Sequence, residues 1–189
     1  MADNSLCSEQ EAQARSLAWW TKTRQDPQAL NDWLIDQYRG EATAANRILT
    51  LAENYTSQGS RERRLLTRIA DQERKHARWV GELLSARQLP VPAEPDTARE
   101  RYWKKTLPII SDLASGAAVG AHAERMRLWR IQAIASDAQA PADVRAIFAL
   151  ILPEERFHER AFRSLAGEAA LHAALDGHEQ GMAVLGLIP

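Results

Sequence analysis

The chain of 189 residues is long enough to bury the core of one helical domain, and its 45% hydrophobic and 26% charged residues are typical of a globular protein. A formal net charge of -1 provides no field that would attract nucleic acid or an anionic membrane. The single cysteine, Cys7, excludes an internal disulfide and a cysteine-ligated zinc or rubredoxin-type iron site. The start of the chain is polar, and no apolar run approaches the roughly 20 residues that span a bilayer, so we expect a cytoplasmic protein.

Helical periodicity continues along the chain, and no run alternates apolar and polar residues as a strand would. In chain order we predict helices at about residues 8–23, 27–55, 60–87, 97–136, 141–165 and 168–182, the fourth of them broken or kinked near Pro108. The clearest linker is "QLPVPAEPD", residues 88–96, which holds three prolines. The predicted fold class is all-α, with residues 1–189 as a single domain. Two helical hairpins joined by a long connection form a four-helix bundle over about residues 27–165, with extra N-terminal and C-terminal helices.

The two hairpins resemble each other in sequence. "ERKHAR", residues 73–78, is echoed by "ERFHER", residues 155–160. Upstream of each, a glutamate is followed six and seven residues later by Arg-Ile, first from Glu41 and then from Glu124. Glu41 precedes Glu73 by 32 residues and Glu124 precedes Glu155 by 31, so each hairpin is predicted to be a copy of the other.

Each bundle helix carries one glutamate near the middle of an otherwise apolar face, and two of the helices add a histidine one turn later. These residues are Glu41, Glu73, His76, Glu124, Glu155 and His158. Counted from the predicted turns at about 1.5 Å per residue, the four glutamates lie at similar heights, so the six side chains are predicted to converge on one core layer. We predict no Lys or Arg in that layer. Because buried carboxylates cost several kcal/mol each unless something positive meets them, a pair of divalent metal ions is the simplest explanation.

A buried polar layer without metal is the alternative interpretation. A Glu-x-x-His pair is weak evidence by itself, since glutamate is common in this chain. The matched upstream glutamates, the similar spacings and the positions on apolar faces are what favour metal binding.

This constellation resembles the ferritin-like di-iron carboxylate superfamily, whose ligand pattern is Glu, Glu-x-x-His, Glu, Glu-x-x-His on four helices. The resemblance covers about residues 27–165 and is nearest to the rubrerythrin-like and small di-iron hydroxylase branches. It implies that the six residues bind two iron ions, with manganese or a mixed pair left open, and that one glutamate from each half bridges the metals. Two departures from rubrerythrins are Ala121, where an additional glutamate is typical, and the missing rubredoxin-type iron site.

From this resemblance and its departures we expect a di-iron oxidase or oxygenase of the hydroxylase type, which uses O2 to oxidise a small organic substrate. A rubrerythrin-like peroxidase or ferroxidase and a metal-free helical interaction module are the alternatives. Electrons would come from an external donor or reductase, because the chain has no redox domain of its own. No membrane partner is expected, and nucleic acid is disfavoured, although tRNA stays open because a tRNA-modifying hydroxylase belongs to the same broad group. A homodimer also stays open.

One segment indicates where a substrate could enter. Residues 112–124, "DLASGAAVGAHAE", contain little side-chain bulk before Glu124, and glycine inside a helix costs roughly 1 kcal/mol relative to alanine. Close helix packing explains this composition, and so does a cavity beside the metals for oxygen and an apolar substrate. We assign no catalytic residue beyond the metal ligands, and Tyr38, one turn before Glu41, is the one further candidate.

Overall fold

The structure is a computed structural model that describes residues 9–92 and 103–184. All regular secondary structure within these ranges is helical, as predicted. The helices are α1 (Glu9–Thr23), α2 (Pro27–Tyr55), α3 (Arg61–Ala86), α4 (Leu113–Ser136), α5 (Ala142–Ala173) and α6 (Leu175–Val184). The predicted start of a helix near residue 97 lies outside the described residues. None of the described helices combines the length and apolar character that a membrane span requires.

The helices begin at residues that satisfy their free N–H groups. The Asp26 carboxylate accepts hydrogen bonds from the first turn of α2, which starts at Pro27. The Ser60 side chain caps α3, and Asp112 and Ser115 cap α4 reciprocally. Side-chain caps of this kind contribute about 1 kcal/mol each and define the helix ends.

The break predicted near Pro108 is present. Residues 103–106 are helical, the short 3-10 helix Leu107–Ile109 follows, and α4 begins only after Asp112. Proline cannot donate the next backbone hydrogen bond, so the chain restarts with a new cap.

Two antiparallel hairpins form the bundle, with α2 packed mainly on α3 and α4 mainly on α5. Helix α1 lies against α4, where the fully buried Trp20 donates a hydrogen bond to Asp137 at 2.8 Å. Two apolar clusters fill the interior. One includes Ile69 and Phe162, and the other includes Val80 and Ile151. Along α3 and α5 the Glu-x-x-His residues fall between these clusters, so the polar layer crosses the middle of the core.

Helix α5 passes through Pro153 without a break in helical backbone geometry. The one non-helical residue inside it is Gly167, at φ 71° and ψ 163°. Only glycine adopts this positive φ at little cost, so the helix changes course there, nine residues beyond His158. The two ligand candidates on α5 therefore lie on an uninterrupted stretch of helix.

Candidate metal centre

The four helices of the two hairpins bring all six predicted site residues together. They form two overlapping groups, one of Glu41, Glu73, His76 and Glu155 and the other of Glu73, Glu124, Glu155 and His158. Within each group, one N or O atom from every residue lies within 4.8 Å of the others. All six are buried, and Glu124 is the most exposed at 4%. Glu73 and Glu155 belong to both groups, which is the arrangement that two adjacent cations with shared ligands require.

The atoms that face the centre of this cluster have no well-formed hydrogen bond, although His158 Nδ1 lies 2.9 Å from Glu73 Oε1 and His76 Nδ1 lies 3.2 Å from Glu155 Oε1. These atoms are Oε2 of Glu41, Glu124 and Glu155, both carboxylate oxygens of Glu73, and Nδ1 of His76 and His158. A buried polar atom without a partner costs about 1–3 kcal/mol, and more when it is charged, so such a concentration needs compensation. Carboxylate oxygens with imidazole nitrogens are a donor set that suits iron, manganese and zinc. The residues present therefore fit a pair of divalent metal ions.

The outward-facing nitrogens of both histidines are held by the neighbouring Glu-x-x-His helix. His76 Nε2 lies 2.9 Å from Glu154 Oε2, and His158 Nε2 lies 3.1 Å from Gln72 Oε1. Each partner immediately precedes the glutamate of the opposite motif. Because both partners offer an oxygen acceptor, each Nε2 can donate its proton outward, which would leave each Nδ1 to bind a metal in the cluster.

These two outer contacts are chemically unequal. Glu154 is a half-buried carboxylate that also binds Lys75 Nζ at 2.6 Å, whereas Gln72 offers a neutral amide. A carboxylate acceptor makes an imidazole more basic than an amide does, so His76 is the stronger donor of the pair. Neither partner was predicted from the sequence.

The prediction that no Lys or Arg shares the carboxylate layer is wrong, because Arg127 lies in it. Its Nη2 lies 2.6 Å from Glu41 Oε1 and 2.9 Å from Glu155 Oε1, and its Nη1 lies 3.7 Å from Glu73 and from Glu124. Arg127 follows Glu124 by three residues, the same offset that His76 and His158 have from their glutamates. That offset places it on the same helix face, and it was the signal that could have found it.

Arg127 determines which carboxylates carry charge. Burial by itself would raise the pKa of Glu41, but Arg127 and His76 outweigh it and hold that pKa well below its ordinary value. Arg127 likewise overcomes burial at Glu155 and lowers its pKa to about 2. Burial and the Glu155 carboxylate raise the pKa of Glu73 well above its usual range.

The pKa values of Glu124, His158 and His76 are also shifted from their ordinary values. Burial raises the pKa of Glu124 well above its ordinary value and lowers the pKa of His158 to about 4. Burial would also lower the pKa of His76, but the carboxylates of Glu155 and Glu41 outweigh it and raise that pKa to about 11. By themselves, the protein groups thus combine two charged carboxylates with two cations. Divalent cations would have to displace the protons from the raised groups.

Gln37 is a further contact of the cluster that was not predicted from the sequence. Its Nε2 donates a hydrogen bond to Glu41 Oε1 at 2.6 Å. Its neighbour Tyr38, the earlier candidate, packs toward Gly81 on α3, where a Cβ would lie 3.1 Å from the Tyr38 ring. Tyr38 makes no hydrogen bond with any described residue. Gln37, and not Tyr38, therefore holds the Glu41 carboxylate.

A cavity of about 350 Å³ adjoins the cluster between α2 and α4. It reaches Glu124 and Arg127, and Gly116, Val119 and Gly120 form much of its α4 wall. Phe162 lines the same space from α5. The segment with little side-chain bulk therefore borders open space beside the cluster.

An all-helical bundle with a buried cluster of carboxylates and histidines between its helices is the architecture of the ferritin-like di-metal carboxylate proteins. The family model for rubrerythrin matches residues 32–166, so the chain belongs to the rubrerythrin family within the ferritin-like di-iron carboxylate superfamily. The predicted superfamily and fold class are thereby confirmed. No curated protein and no solved structure matches the chain. Family and cluster together indicate a di-metal site, usually of iron, and a redox protein.

Proposed function

We propose that the chain is a non-haem di-iron oxygenase of the hydroxylase type, which uses O2 to oxidise a small organic substrate. In this proposal Glu41 and His76 would hold one iron, and Glu124 and His158 would hold the other. Glu73 and Glu155 would contribute to both sites, because both residues belong to both groups of ligand atoms. The six residues would be the ligands that the sequence pattern predicted. Manganese or a mixed pair would suit the same donors.

The cavity beside Glu124 is the observation that carries this proposal. Its volume of about 350 Å³ lies in the range of small-molecule sites, roughly 300–1,000 Å³. Its walls are largely apolar, which suits an organic substrate and keeps water from competing for the oxidant. A peroxidase or ferroxidase needs space for peroxide or an iron ion alone, so a cavity of this size favours an organic substrate.

The bound irons would supply the activation of oxygen. Hydroxylation would consume O2, two electrons and two protons to give the alcohol and water, so an external electron donor is part of the proposal. The protein would contribute position and charge. Gln37 holds Glu41 in place, while Glu154 and Gln72 orient the two imidazoles. Arg127 holds Glu41 and Glu155 on the α4 side of the cluster, next to the cavity.

Two alternatives keep specific support. The match to rubrerythrin favours a peroxidase or ferroxidase, and the charges of Arg127 and His76 against two carboxylates allow a stable core without metal. A homodimer stays a prediction, which sedimentation analysis of the purified protein would test.

Metal content and the oxidant separate these functions. Protein purified without oxygen should hold two irons per chain, and Glu73→Gln should lose most of them; a wild type without metal would refute the di-iron proposal. The reduced protein should then be oxidised by O2 within seconds and incorporate label from 18O2 into an organic product. Oxidation by peroxide that is a hundredfold faster than by O2, without incorporation, would establish the peroxidase instead.

A further inference from the structure

The cavity beside the cluster has an arginine at each end. Helices α2 and α4 run in opposite directions, because Gly116 near the start of α4 faces Leu51 near the end of α2. Arg47 follows Glu41 by six residues on α2, and Arg130 follows Glu124 by six residues on α4. At 1.5 Å per residue each arginine lies about 9 Å along its helix from the carboxylate layer, and the two lie on opposite sides of that layer. Both line the cavity.

The two arginines differ in what already binds them. Arg47 donates a hydrogen bond to Thr43 Oγ1 at 2.9 Å and lies over the Trp103 ring at 4.0 Å. Arg130 lies over the Trp19 ring at 4.7 Å, and no hydrogen bond or ion pair holds it among residues 9–92 and 103–184. Its guanidinium therefore keeps its N–H donors available toward the cavity. Burial lowers the pKa of Arg130, which is the mark of a cation with little compensating charge around it.

The carboxylates nearby do not compensate for Arg130. Asp36 lines the same cavity, but its carboxylate pairs with Arg39 at 3.0 Å. Glu124 belongs to the metal cluster, where Nη1 of Arg127 is 3.7 Å away. The Arg130 end of the cavity thus has a positive charge that no described acidic residue takes up.

Between the two arginines the cavity wall has an apolar strip beside the polar Glu124 and Arg127. Val119 and Ala123 contribute to this strip from α4, and the Phe162 ring contributes to it from α5. Gly120 permits this arrangement, because a Cβ there would lie 3.0 Å from the Phe162 ring. An apolar body would therefore lie alongside Glu124 with its far end pointing away from Arg130.

We propose that this cavity binds a small amphipathic monocarboxylate, with its carboxylate on Arg130 and its apolar body beside the cluster. The planar guanidinium fork matches a carboxylate, and pairs of this kind are stronger than neutral hydrogen bonds. The proposal rests on the proposed function in one respect: if the chain is an oxygenase, this carboxylate is its substrate. The carbon presented to the cluster would then lie about 9 Å from the carboxylate, far along the body of the molecule.

Isothermal titration of the full-length, iron-loaded protein without oxygen tests the proposal with three probes of equal length: octanoate, octan-1-ol and octylammonium. Octanoate should bind, and octylammonium should not. Arg130→Gln should weaken octanoate binding about 10- to 100-fold and leave octan-1-ol unchanged, while Arg130→Lys should retain part of the affinity. Arg47→Gln, the matched change at the other end, should alter octanoate binding less than about threefold.

Several results would overturn the proposal. One is equal binding of octanoate and octan-1-ol by the wild type, a comparison that stands even if Arg130→Gln fails to fold. Another is octanoate binding that depends on Arg47, or on neither arginine, as a carboxylate bound directly to the metals would behave. Turnover is measured separately. If octanoate binding depends on Arg130 but O2 and a reductant do not oxidise the bound octanoate, the substrate role is refuted and the binding site stands. If only uncharged compounds are oxidised, the carboxylate site is refuted and the oxygenase function stands.

Discussion

Replacing Arg127 by glutamine should lower the stability of the metal-free protein and raise its affinity for metal. The substitution removes the cation that lies 2.6 Å from Glu41 and 2.9 Å from Glu155. A pKa of Glu155 lowered from 4.5 to about 2 corresponds to about 3 kcal/mol of stability. Breaking a buried ion pair typically costs about 3–5 kcal/mol, so the two magnitudes agree.

We therefore expect Arg127→Gln to lower the free energy of unfolding of the metal-free protein by about 3–5 kcal/mol near pH 7, or roughly 6–20 °C in Tm for a chain of this size. The pH dependence has a defined sign. The folded-state pKa of Glu155 is depressed, so its contribution is complete above about pH 4.5 and is lost as the pH falls toward 2. The difference between wild type and variant should close over that interval.

Metal affinity should change in the opposite direction, because the guanidinium and a metal ion compete for the same carboxylate oxygens. We expect Arg127→Gln to bind Mn²⁺ about tenfold more tightly or better in chelator competition. Urea unfolding with and without Mn²⁺ should then show a larger metal-dependent gain for the variant. Arg74→Gln, at an exposed arginine paired with Asp71, is the control and should change stability by less than about 1 kcal/mol. A variant as stable as the wild type, or one that binds Mn²⁺ more weakly, would refute this reasoning.

Three further predictions concern the metals and the cavity. Mn²⁺ affinity should rise between pH 6 and pH 8 with release of protons, because the pKa values of His76 and Glu73 are raised and metal must displace those protons. Calorimetric titration in buffers of different ionisation enthalpy would measure the number of protons released, and a value of zero would contradict the prediction. Glu154→Gln should lower metal affinity about 10-fold, measured by chelator competition, because it removes the charged acceptor of the His76 imidazole. An unchanged affinity would mean that Glu154 only forms a surface ion pair and does not support the metal site. Gly120→Ala should stabilise α4 by up to about 1 kcal/mol in thermal unfolding but weaken octanoate binding, because the added Cβ would crowd the Phe162 ring that lines the cavity. A loss of stability would mean that the ring cannot move.

Local periodicity accounts for what the sequence predicted correctly about the fold. Helical spacing and the break at Pro108 depend on residues within one or two turns of each other, so these signals do not change with the way the helices pack. The repeated spacing from glutamate to Glu-x-x-His also predicted which six side chains share a layer. The structure brings those six together, and their binding of metal stays a prediction.

The same periodicity did not reveal the partners that cross between helices. Gln72 and Glu154 immediately precede candidate ligands in the sequence, and each reaches the histidine of the opposite helix. Such a contact depends on the rotation of two packed helices relative to each other. No spacing within either helix specifies that rotation.

Arg127 and the cavity show most clearly what helical periodicity does not predict. The sequence by itself determined that Arg127 lies on the face of Glu124, since the two residues are three apart. Only the tertiary structure decided that this long side chain turns into the carboxylates, and that α2 and α4 leave about 350 Å³ open beside them. The physical reason is that a helix face follows from local geometry, whereas the direction of a flexible side chain and the gap between two helices depend on every neighbour that packs around them.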